Sequence, residues 1–597
     1  MKRFAVINNE KLKEMSLKTH LQRLCPVNKT GVECMYFQGD KLLIDETTCI
    51  GCGICVKKAP EAISIINLPE ALEKPPLHRY APNSFALYNL PVPLFGSVVG
   101  LLGRNGIGKS TAMKILAGLE QPNFEREDKG FPSNGPNENT STVRDLIDYF
   151  KGSEAQTYFE KLERGEIKVS FKPQQVEYIP KSFSGTVREL LTKVDEKKQL
   201  DFYVKELSLS AVLDREISQV SGGELQRVAI AACLLKDANV YFLDEPTSYL
   251  DIKQRLKVAK LLRKLATPDV AVMVIEHDLI ILDYLADYVH LLYGKSAHYG
   301  IVSQLKPTKN GINTYLSGYI RDENMRFRDR EIRFDEVSQD EEISIQKLLM
   351  WDEFSKTLGS FSLDVQPGTI HRHDIVGVLG ENGIGKTSFV KELVLASKGE
   401  SEVATITPHE TIQDLEVSFK PQYLTATDEI VRFFLKEALG YKLQLIKPLE
   451  LEPLFDKQLN QLSGGELQRV MIAKTLSQDA HIYLLDEPSA YLDVEQRLSL
   501  SKVIRAMMEV KRASALVIDH DLLFVDYISK RLLVFDGIPA TSGRVTGPFR
   551  MAEGMNTFLS GLDITFRRDE SNHRPRVNKE GSQKDKDQKA SGKLYYL

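Results

Sequence analysis

Apolar residues along this chain gather into short runs closed by glycines or carboxylates, and the runs come in two matching sets. SVVGLLG reads as a buried β-strand and leads straight into GRNGIGKS, after which STAMKILAGL carries apolar residues at helical spacing. The same order of strand, loop and helix returns as DIVGVLG, GENGIGKT and TSFVKELVLA. VYFLDEP and IYLLDEP are further buried strand runs, each ending in two carboxylates. VAIAACLL reads as an apolar helical stretch and places Cys233 in a core. No apolar run approaches the roughly 18 to 20 residues of a membrane helix. The start, MKRFAVINNEKLKEM, lacks the apolar stretch of a signal peptide. The expectation is a cytoplasmic protein with reduced thiols and no membrane contact.

The spacing between motifs is kept in both sets. SGGELQRV begins at Ser221 and again at Ser463, and each serine stands equally far before the aspartate of its LDEP, Asp244 or Asp486. A histidine–aspartate pair follows in almost the same register, giving His277 after Asp244 and His520 after Asp486. KPQ ends at Gln174 and at Gln422. The halves part company between loop and signature, where the stretch from Lys109 to Ser221 is markedly longer than that from Lys386 to Ser463. The excess falls on NTSTVRDLIDYFKGSEAQTYFEKLERGE, whose helical spacing is broken at Lys151-Gly152-Ser153, so it predicts a helix–loop–helix insertion at about 140–166.

This set of motifs is what phosphoryl transfer from a nucleotide requires. Glycines let backbone N–H groups turn onto phosphates, and the following helix N-terminus adds positive partial charge. That assigns ATP binding to Gly103, Asn105, Gly106, Gly108, Lys109, Ser110 and Thr111 in one half. Gly380, Asn382, Gly383, Gly385, Lys386, Thr387 and Ser388 do the same in the other. Ser110, Gln174 and Asp244 would ligate one Mg²⁺, and Thr387, Gln422 and Asp486 the second. Glu245 and Glu487 would polarise the attacking water. Adenine takes an aromatic platform, for which Tyr80, then Phe85, serve the first half and Trp351 the second; each has plain core as its rival.

At 597 residues the chain exceeds one core and suggests three or four units. Its net charge of −4 excludes a global nucleic-acid signature, so any RNA contact rests on local patches. Five of the six cysteines, Cys25, Cys34, Cys49, Cys52 and Cys55, cluster near the start of the chain, which in a reducing compartment points to metal. CIGCGIC supplies Cys49, Cys52 and Cys55 at ferredoxin spacing, but Ala59 stands where the fourth cysteine, followed by proline, belongs. Cys25-Pro26 has the missing shape, and the crossover of two-cluster ferredoxins makes Cys25 the fourth ligand of one [4Fe–4S] cluster. Zinc on the same four thiols is the rival. Cys34 lies outside the pattern.

SGGELQR resembles the signature of the ABC ATPases, in which the signature of one domain closes over the ATP held by the other. The resemblance implies that Ser463, Gly464 and Gly465 complete the first site and Ser221, Gly222 and Gly223 the second. It further implies that Gln174 and Gln422 are Q-loop residues, His277 and His520 catalytic switch histidines, and Ser248–Asp251 and Ser489–Asp493 the D-loops. A ferredoxin-like start joined to such a pair resembles the E subfamily, the ribosome-recycling ATPases also called RNase L inhibitors, essentially end to end. HRY, GYIRDENMRFRD and GMNTFLSGLDITFRRD share in the match. That family carries two clusters, and here Leu12, Leu17, Leu21 and Ala59 occupy four of the eight ligand positions. All four belong to one cluster, which predicts its loss as a unit and an apolar core in its place.

The expected fold is α/β: two tandem P-loop nucleotide-binding domains arranged head to tail, with a small N-terminal ferredoxin-like α+β domain. The expected divisions are 1–76 iron–sulfur domain, 77–318 first cassette, 319–340 hinge, 341–555 second cassette, and 556–597 hinge with a basic tail. The resemblance implies an ATP-driven factor that separates ribosomal subunits after termination or rescue, monomeric, with intramolecular domain pairing. Its partners would be the small subunit and its rRNA, a release factor or its stalled-ribosome relative, and initiation factors, with ribosome biogenesis and nuclear passage within the family's range. A transporter's tandem ATPase subunit and an RNase-inhibiting binding protein are the alternatives.

Overall fold

The structure is a computed structural model. It describes residues 2–7, 9, 12, 14–45, 48–60, 62–68, 75–81, 84–124, 143–334, 346–408, 415–422 and 426–595. The two halves repeat each other strand by strand. In the first, the parallel order is Val169–Lys172, Val240–Asp244, Ala271–Ile275, Val98–Gly103 and Tyr288–Lys295. Tyr299–Val302, Ala86–Tyr88 and His78–Arg79 continue the sheet. In the second, Val417–Lys420, Ile482–Asp486, Ser514–Ile518, Ile375–Leu379 and Arg531–Ile538 take the same places, followed by Ser542–Arg550, Phe361–Val365 and Phe354–Leu358. Strands Val98–Gly103, Val240–Asp244 and Ala271–Ile275 are buried at every residue, which is why they read as unbroken apolar runs: both faces are covered. The phosphate-loop strand lies beside the strand that precedes the histidine. Loop, LDEP and histidine therefore meet at the carboxyl ends of the strands, where open α/β sheets bind ligands.

The insertion in the first half is two helices, Val143–Tyr149 and Glu154–Glu163, turning at Gly152 with φ 82°. This is the arrangement the broken periodicity predicts; 140–142 lie outside the described residues. Phe159 is fully buried, and the Tyr158 hydroxyl donates to Leu116 O at 2.9 Å, docking the insertion on the end of the helix that follows the phosphate loop.

At the N-terminus, Lys2–Ile7 pairs antiparallel with Ile63–Leu68, and Met35–Gln38 with Lys41–Ile44. Leu12, Leu21 and Ala59 sit in one apolar core with Ala5, Ile7 and Ile63, and Leu17 packs on it. The four positions lacking cysteine thus share a single hydrophobic cluster, as expected.

The segment after the second cassette, through Tyr595, is folded as well. Phe566–Arg568 and Pro575–Val577 form a hairpin, followed by the helix Gln583–Ser591. Arg574, with no exposed surface, lies 3.2 Å from Asp283 Oδ2 of the first half, and Arg576 grips the same carboxylate at 2.6 and 2.9 Å. At the other end the Tyr595 hydroxyl donates to Asp526 of the second half. The tail therefore bridges both halves. Among the described residues no helix is long and apolar enough to cross a membrane.

Removing one partner of a buried charge pair costs about 3–5 kcal/mol, because the other charge is left uncompensated. Asp283→Asn is therefore expected to lower the denaturation midpoint and to speed hydrogen exchange in Phe566–Arg568 and Pro575–Val577. Unchanged exchange there would show that the tail is held by something else.

Candidate ATP-hydrolysis sites

Each phosphate loop ends in a glycine with left-handed φ, 93° at Gly108 and 96° at Gly385, and the helix starts at the next lysine. Lys109 Nζ donates to Gly103 O and Arg104 O, both at 2.8 Å; Lys386 Nζ donates to Gly380 O at 2.8 Å and Glu381 O at 2.7 Å. Burial pushes both ammonium groups down, Lys386 to about 8. The loop carbonyls hold each lysine over the space where phosphate oxygens would lie.

Asp244 and Asp486 end their strands with almost no exposure. The Thr387 hydroxyl donates to Asp486 Oδ2 at 2.8 Å, and Ser110 makes the matching contact with Asp244. Burial pushes the Asp244 carboxyl up to about 6 against the pull of Ser110 and the nearby lysines. Its Oδ1 is buried and lacks a hydrogen-bond partner. An unpartnered carboxylate oxygen beside a hydroxyl is a fit for a hard divalent cation such as Mg²⁺.

Glu245 and Glu487 follow with φ of 46° and 47°, a conformation that costs a non-glycine residue energy and survives where neighbours over-determine it. They are over-determined here. Lys172, 1% exposed, donates to the carbonyls of Asp244 at 2.9 Å and Glu245 at 3.2 Å, and Lys420 does the same for Asp486 at 2.7 Å and Glu487 at 3.4 Å. Gln226 and Gln468, from the two signature helices, each donate to the carbonyl of their glutamate at 2.7 Å. The carboxylates then point at the Q-loops: Gln174 Nε2 donates to Glu245 Oε1 and Gln422 Nε2 to Glu487 Oε1, both at 2.7 Å.

His277 Nε2 stands 3.3 Å from Glu245 Oε1, and His520 Nε2 3.5 Å from Glu487 Oε1. Burial and Lys109 push the His277 imidazole down, against the pull of Glu245. Burial pushes Glu245 up, but His277, Lys109 and Ser248 outweigh it and keep the carboxyl ionised. Nδ1 of His277 is buried without a hydrogen-bond partner. The acid before each histidine ties it to the loop that follows LDEP, Thr247 donating to Glu276 and Ser489 to Asp519, both at 2.7 Å.

Ser221 and Ser463 cap the helices Gly222–Leu234 and Gly464–Ser477 through matched boxes with Glu224 and Glu466. A Cβ on Gly223 or Gly465 would come within 3.0 or 2.9 Å of the carbonyl of Tyr249 or Tyr491, so only glycine lets the D-loop lie this close. The D-loops then cross to the opposite half. Asn105 N–H donates to Asp493 Oδ2 and Asn382 N–H to Asp251 Oδ2, both at 3.1 Å, and the Tyr249 and Tyr491 rings meet edge to face at 6.1 Å. The halves are arranged head to tail.

The aromatic assignments need one correction. Tyr80 is 46% exposed with its hydroxyl 2.9 Å from Thr111 Oγ1, and Phe85 packs on Gly108. Trp351 is 2% exposed, donates Nε1–H to Gln366 O at 2.9 Å, packs on Gly368 and meets Phe389 edge to face. It belongs to the core and offers adenine no face. The place equivalent to Phe85 is taken by Phe361, whose ring packs on Gly385. The missed signal is Ser84-Phe85-x-Leu87 repeated as Ser360-Phe361-x-Leu363. Lys172 and Lys420 were likewise legible as the first letter of the repeated KPQ, and Gln226 and Gln468 inside SGGELQR.

In the N-terminal unit Cys25, Cys49, Cys52 and Cys55 line one pocket. Cys34, 1% exposed, lines it too, which spacing alone did not suggest. Ala5 N–H donates to Cys49 Sγ at 3.3 Å. Among the described residues no three His, Cys, Asp or Glu are gathered closely enough for a single ion. A zinc ion would draw its thiolates to about 2.3 Å from one point. Four thiols around one pocket are a donor set that an iron–sulfur cluster or a zinc ion takes.

Two phosphate loops, each reached by the other half's D-loop and backed by a buried aspartate–glutamate pair, define an ABC-class ATPase with both cassettes in one chain. The ABC transporter family model matches residues 94–248 and 362–490. An ABC transporter ATP-binding protein of Methanocaldococcus jannaschii is 47% identical over 606 residues, covering 100% of this chain and 98% of the relative. ABC transporter E family member 1 of Arabidopsis thaliana is 43% identical, with 100% and 99% covered. Translation initiation factor RLI1 of Saccharomyces cerevisiae is 42% identical, with 100% and 98% covered. A structure described as a model of ribosome-bound archaeal Pelota and ABCE1 superposes with TM-score 0.89 at 49% identity, covering 100% of this chain and 99% of that one. A complex of archaeal ribosomal stalk protein aP1 with archaeal ribosome recycling factor aABCE1 gives 0.79 at 50% identity, covering 88% of this chain and all of that one. The chain belongs to the E family of ABC proteins.

Stacking on a nucleobase is worth about 1–3 kcal/mol per ring. Phe361→Ala is expected to weaken ATP binding at the Lys386 site about tenfold or more, while Trp351→Phe lowers stability and leaves that affinity nearly unchanged. Site-resolved nucleotide titration separates the two.

Proposed function

We propose that the chain hydrolyses ATP at two composite sites and uses their closure to separate ribosomal subunits. In each site the phosphate-loop lysine and the helix N-terminus bind the phosphates. Ser110, Gln174 and Asp244, or Thr387, Gln422 and Asp486, hold Mg²⁺, which supplies charge neutralisation when bound. The ionised Glu245 and Glu487, aimed by their Q-loop glutamines, accept a proton from the attacking water. His277, 3.3 Å from Glu245, would offer a ring N–H toward the γ-phosphate, and His520 takes the same place in the second site. The signature of the opposite half, Ser463–Gly465 or Ser221–Gly223, closes over the nucleotide. Tyr80 and Phe85, with Phe361 in the second half, face adenine. The observation that carries the composite reading is the reciprocal contact of each phosphate loop with the other half's D-loop aspartate.

The ribosomal part of the reading is supported by similarity along the whole chain to proteins named as a translation initiation factor and a ribosome recycling factor. We place the protein in the cytoplasm on the small subunit, working beside a release factor or a Pelota-like relative. Shifting an open–closed equilibrium from 1:99 to 99:1 takes about 5.5 kcal/mol of differential binding, within reach of two sandwiched nucleotides. The N-terminal domain would be the lever. Its pocket would hold one [4Fe–4S] cluster on Cys25, Cys49, Cys52 and Cys55, which supplies a rigid cross-link when bound; the chain's own part is to hold the thiolates and offer the Ala5 amide to Cys49.

Glu245→Gln with Glu487→Gln is expected to cut ATP turnover by at least about a hundredfold while ATP is still bound, trapping the closed form. Sucrose-gradient sedimentation with ribosomal subunits should show the trapped protein held on the small subunit, with no more than one round of subunit separation per molecule. Turnover at the wild-type rate, or no ribosome binding in any nucleotide state, would reject the reading.

Anaerobically purified protein is expected to contain about four irons and four sulfides per chain. Cys25→Ser should lose as much iron as Cys52→Ser, and Cys34→Ser should keep it. About eight irons, or zinc instead, would overturn the single-cluster assignment.

A further inference from the structure

Across the interface the halves are alike in backbone and opposite in charge. The residue after the first glycine of each phosphate loop is Arg104 in the first half and Glu381 in the second. The residue two beyond each D-loop aspartate is Lys253 in the first and Glu495 in the second. Arg104 Nε lies 3.4 Å from Glu495 Oε2, and Lys253 Nζ lies 2.8 Å from Glu381 Oε1. Equivalent positions therefore carry reversed signs in both pairs. Two first halves facing each other would set Arg104 against Lys253, and two second halves would set Glu381 against Glu495.

We propose that these four residues form a charge-matched lock that fits each half to the unlike half and steers their closure over ATP. The pairs flank the two backbone contacts made by Asp493 and Asp251, so each acts at the rim of one nucleotide site. They are partly exposed, with side chains at 41% and 18% for the first pair and 56% and 27% for the second. Pairs of that kind add little affinity by themselves. They do decide between partners, because a mismatched surface meets repulsion where the matched one meets attraction. The first lock is braced further: Glu495 also accepts from the Tyr315 hydroxyl at 3.2 Å and from Arg328, and Arg104 lies 3.6 Å from Glu450. Arg328 follows the first cassette in the chain, so this lock also pins that connecting segment to the second cassette.

The inference rests on the composite-site reading, and the Lys253–Glu381 pair tests it most cleanly, since Glu495 has other partners. Full-length Lys253→Glu is expected to raise the ATP concentration for half-maximal turnover about three- to tenfold at low salt, with kcat nearly unchanged, and Glu381→Lys, inside the phosphate loop, to raise it at least as much. The effect should shrink at high salt, because added KCl shortens the Debye length and screens exposed charges. The double exchange Lys253→Glu/Glu381→Lys should return to within about twofold of the unaltered chain. A double exchange as impaired as the single changes, or single changes without effect, overturns the lock. Nucleotide trapping at the Lys109 site in a Ser463→Ala chain, run alongside, keeps the two failures apart. If trapping there still needs Ser463, only the charge lock is wrong; if it does not, the composite reading falls as well.

Discussion

Two backbone amides, Asn105 N–H and Asn382 N–H, each donate to a carboxylate from the opposite half, Asp493 and Asp251. The same aspartates cap the helices that follow the D-loops, accepting from Gln496 N–H and Gln254 N–H. One carboxylate thus satisfies two orphan donors at once, in different domains. Asp251 and Asp493 are both 1% exposed, so neither can be released to water without opening the interface. Phosphate loop, D-loop and the helix behind it are thereby held as one unit across the pseudo-twofold axis, and the neighbouring groups inherit their positions from it.

Behind that contact, each half fixes its own carboxylates by controlling main-chain carbonyls. A buried lysine and a buried glutamine point at the backbone of the aspartate–glutamate pair, leaving both carboxylates free to face the site. Burying an ammonium group is costly without partners. Lys172 and Lys420 meet that cost with carbonyl acceptors, and burial still pushes both down to about 8. The left-handed backbone at Glu245 and Glu487 is the geometry this arrangement enforces. Because Gln226 and Gln468 lie on the signature helices, movement of a signature is felt directly at the glutamate of its own half.

The N-terminal domain solves a different problem. Small domains have little core, and metal clusters are one remedy. Here leucines and an alanine share one apolar cluster with Cys34 and Cys55, beside the pocket the cysteines line, so apolar packing carries part of the load. The tail adds a second device: Arg574 and Tyr595 connect it to different cassettes, so the two halves are joined by chain at both ends of the repeat.

Much of this was legible in the sequence, for a physical reason. The phosphate loops, LDEP pairs, histidines, signatures and the helix–loop–helix insertion are local in the chain: their chemistry depends on residue type and on periodicities that neighbouring residues impose. Read twice at one register, they determined the α/β fold, the doubled site and its candidate residues. What only the tertiary structure decided involves residues far apart in sequence. Trp351 looked like a platform because aromatic type is visible and burial is not; the sheet put Phe361 on the glycine instead. Cys34 joined the cysteine pocket because a hairpin folds back, which spacing along the chain does not encode. The reversal of charge between Arg104 and Glu381 has no meaning until the fold sets them against Glu495 and Lys253, since an ion pair exists only through a distance that three-dimensional packing supplies.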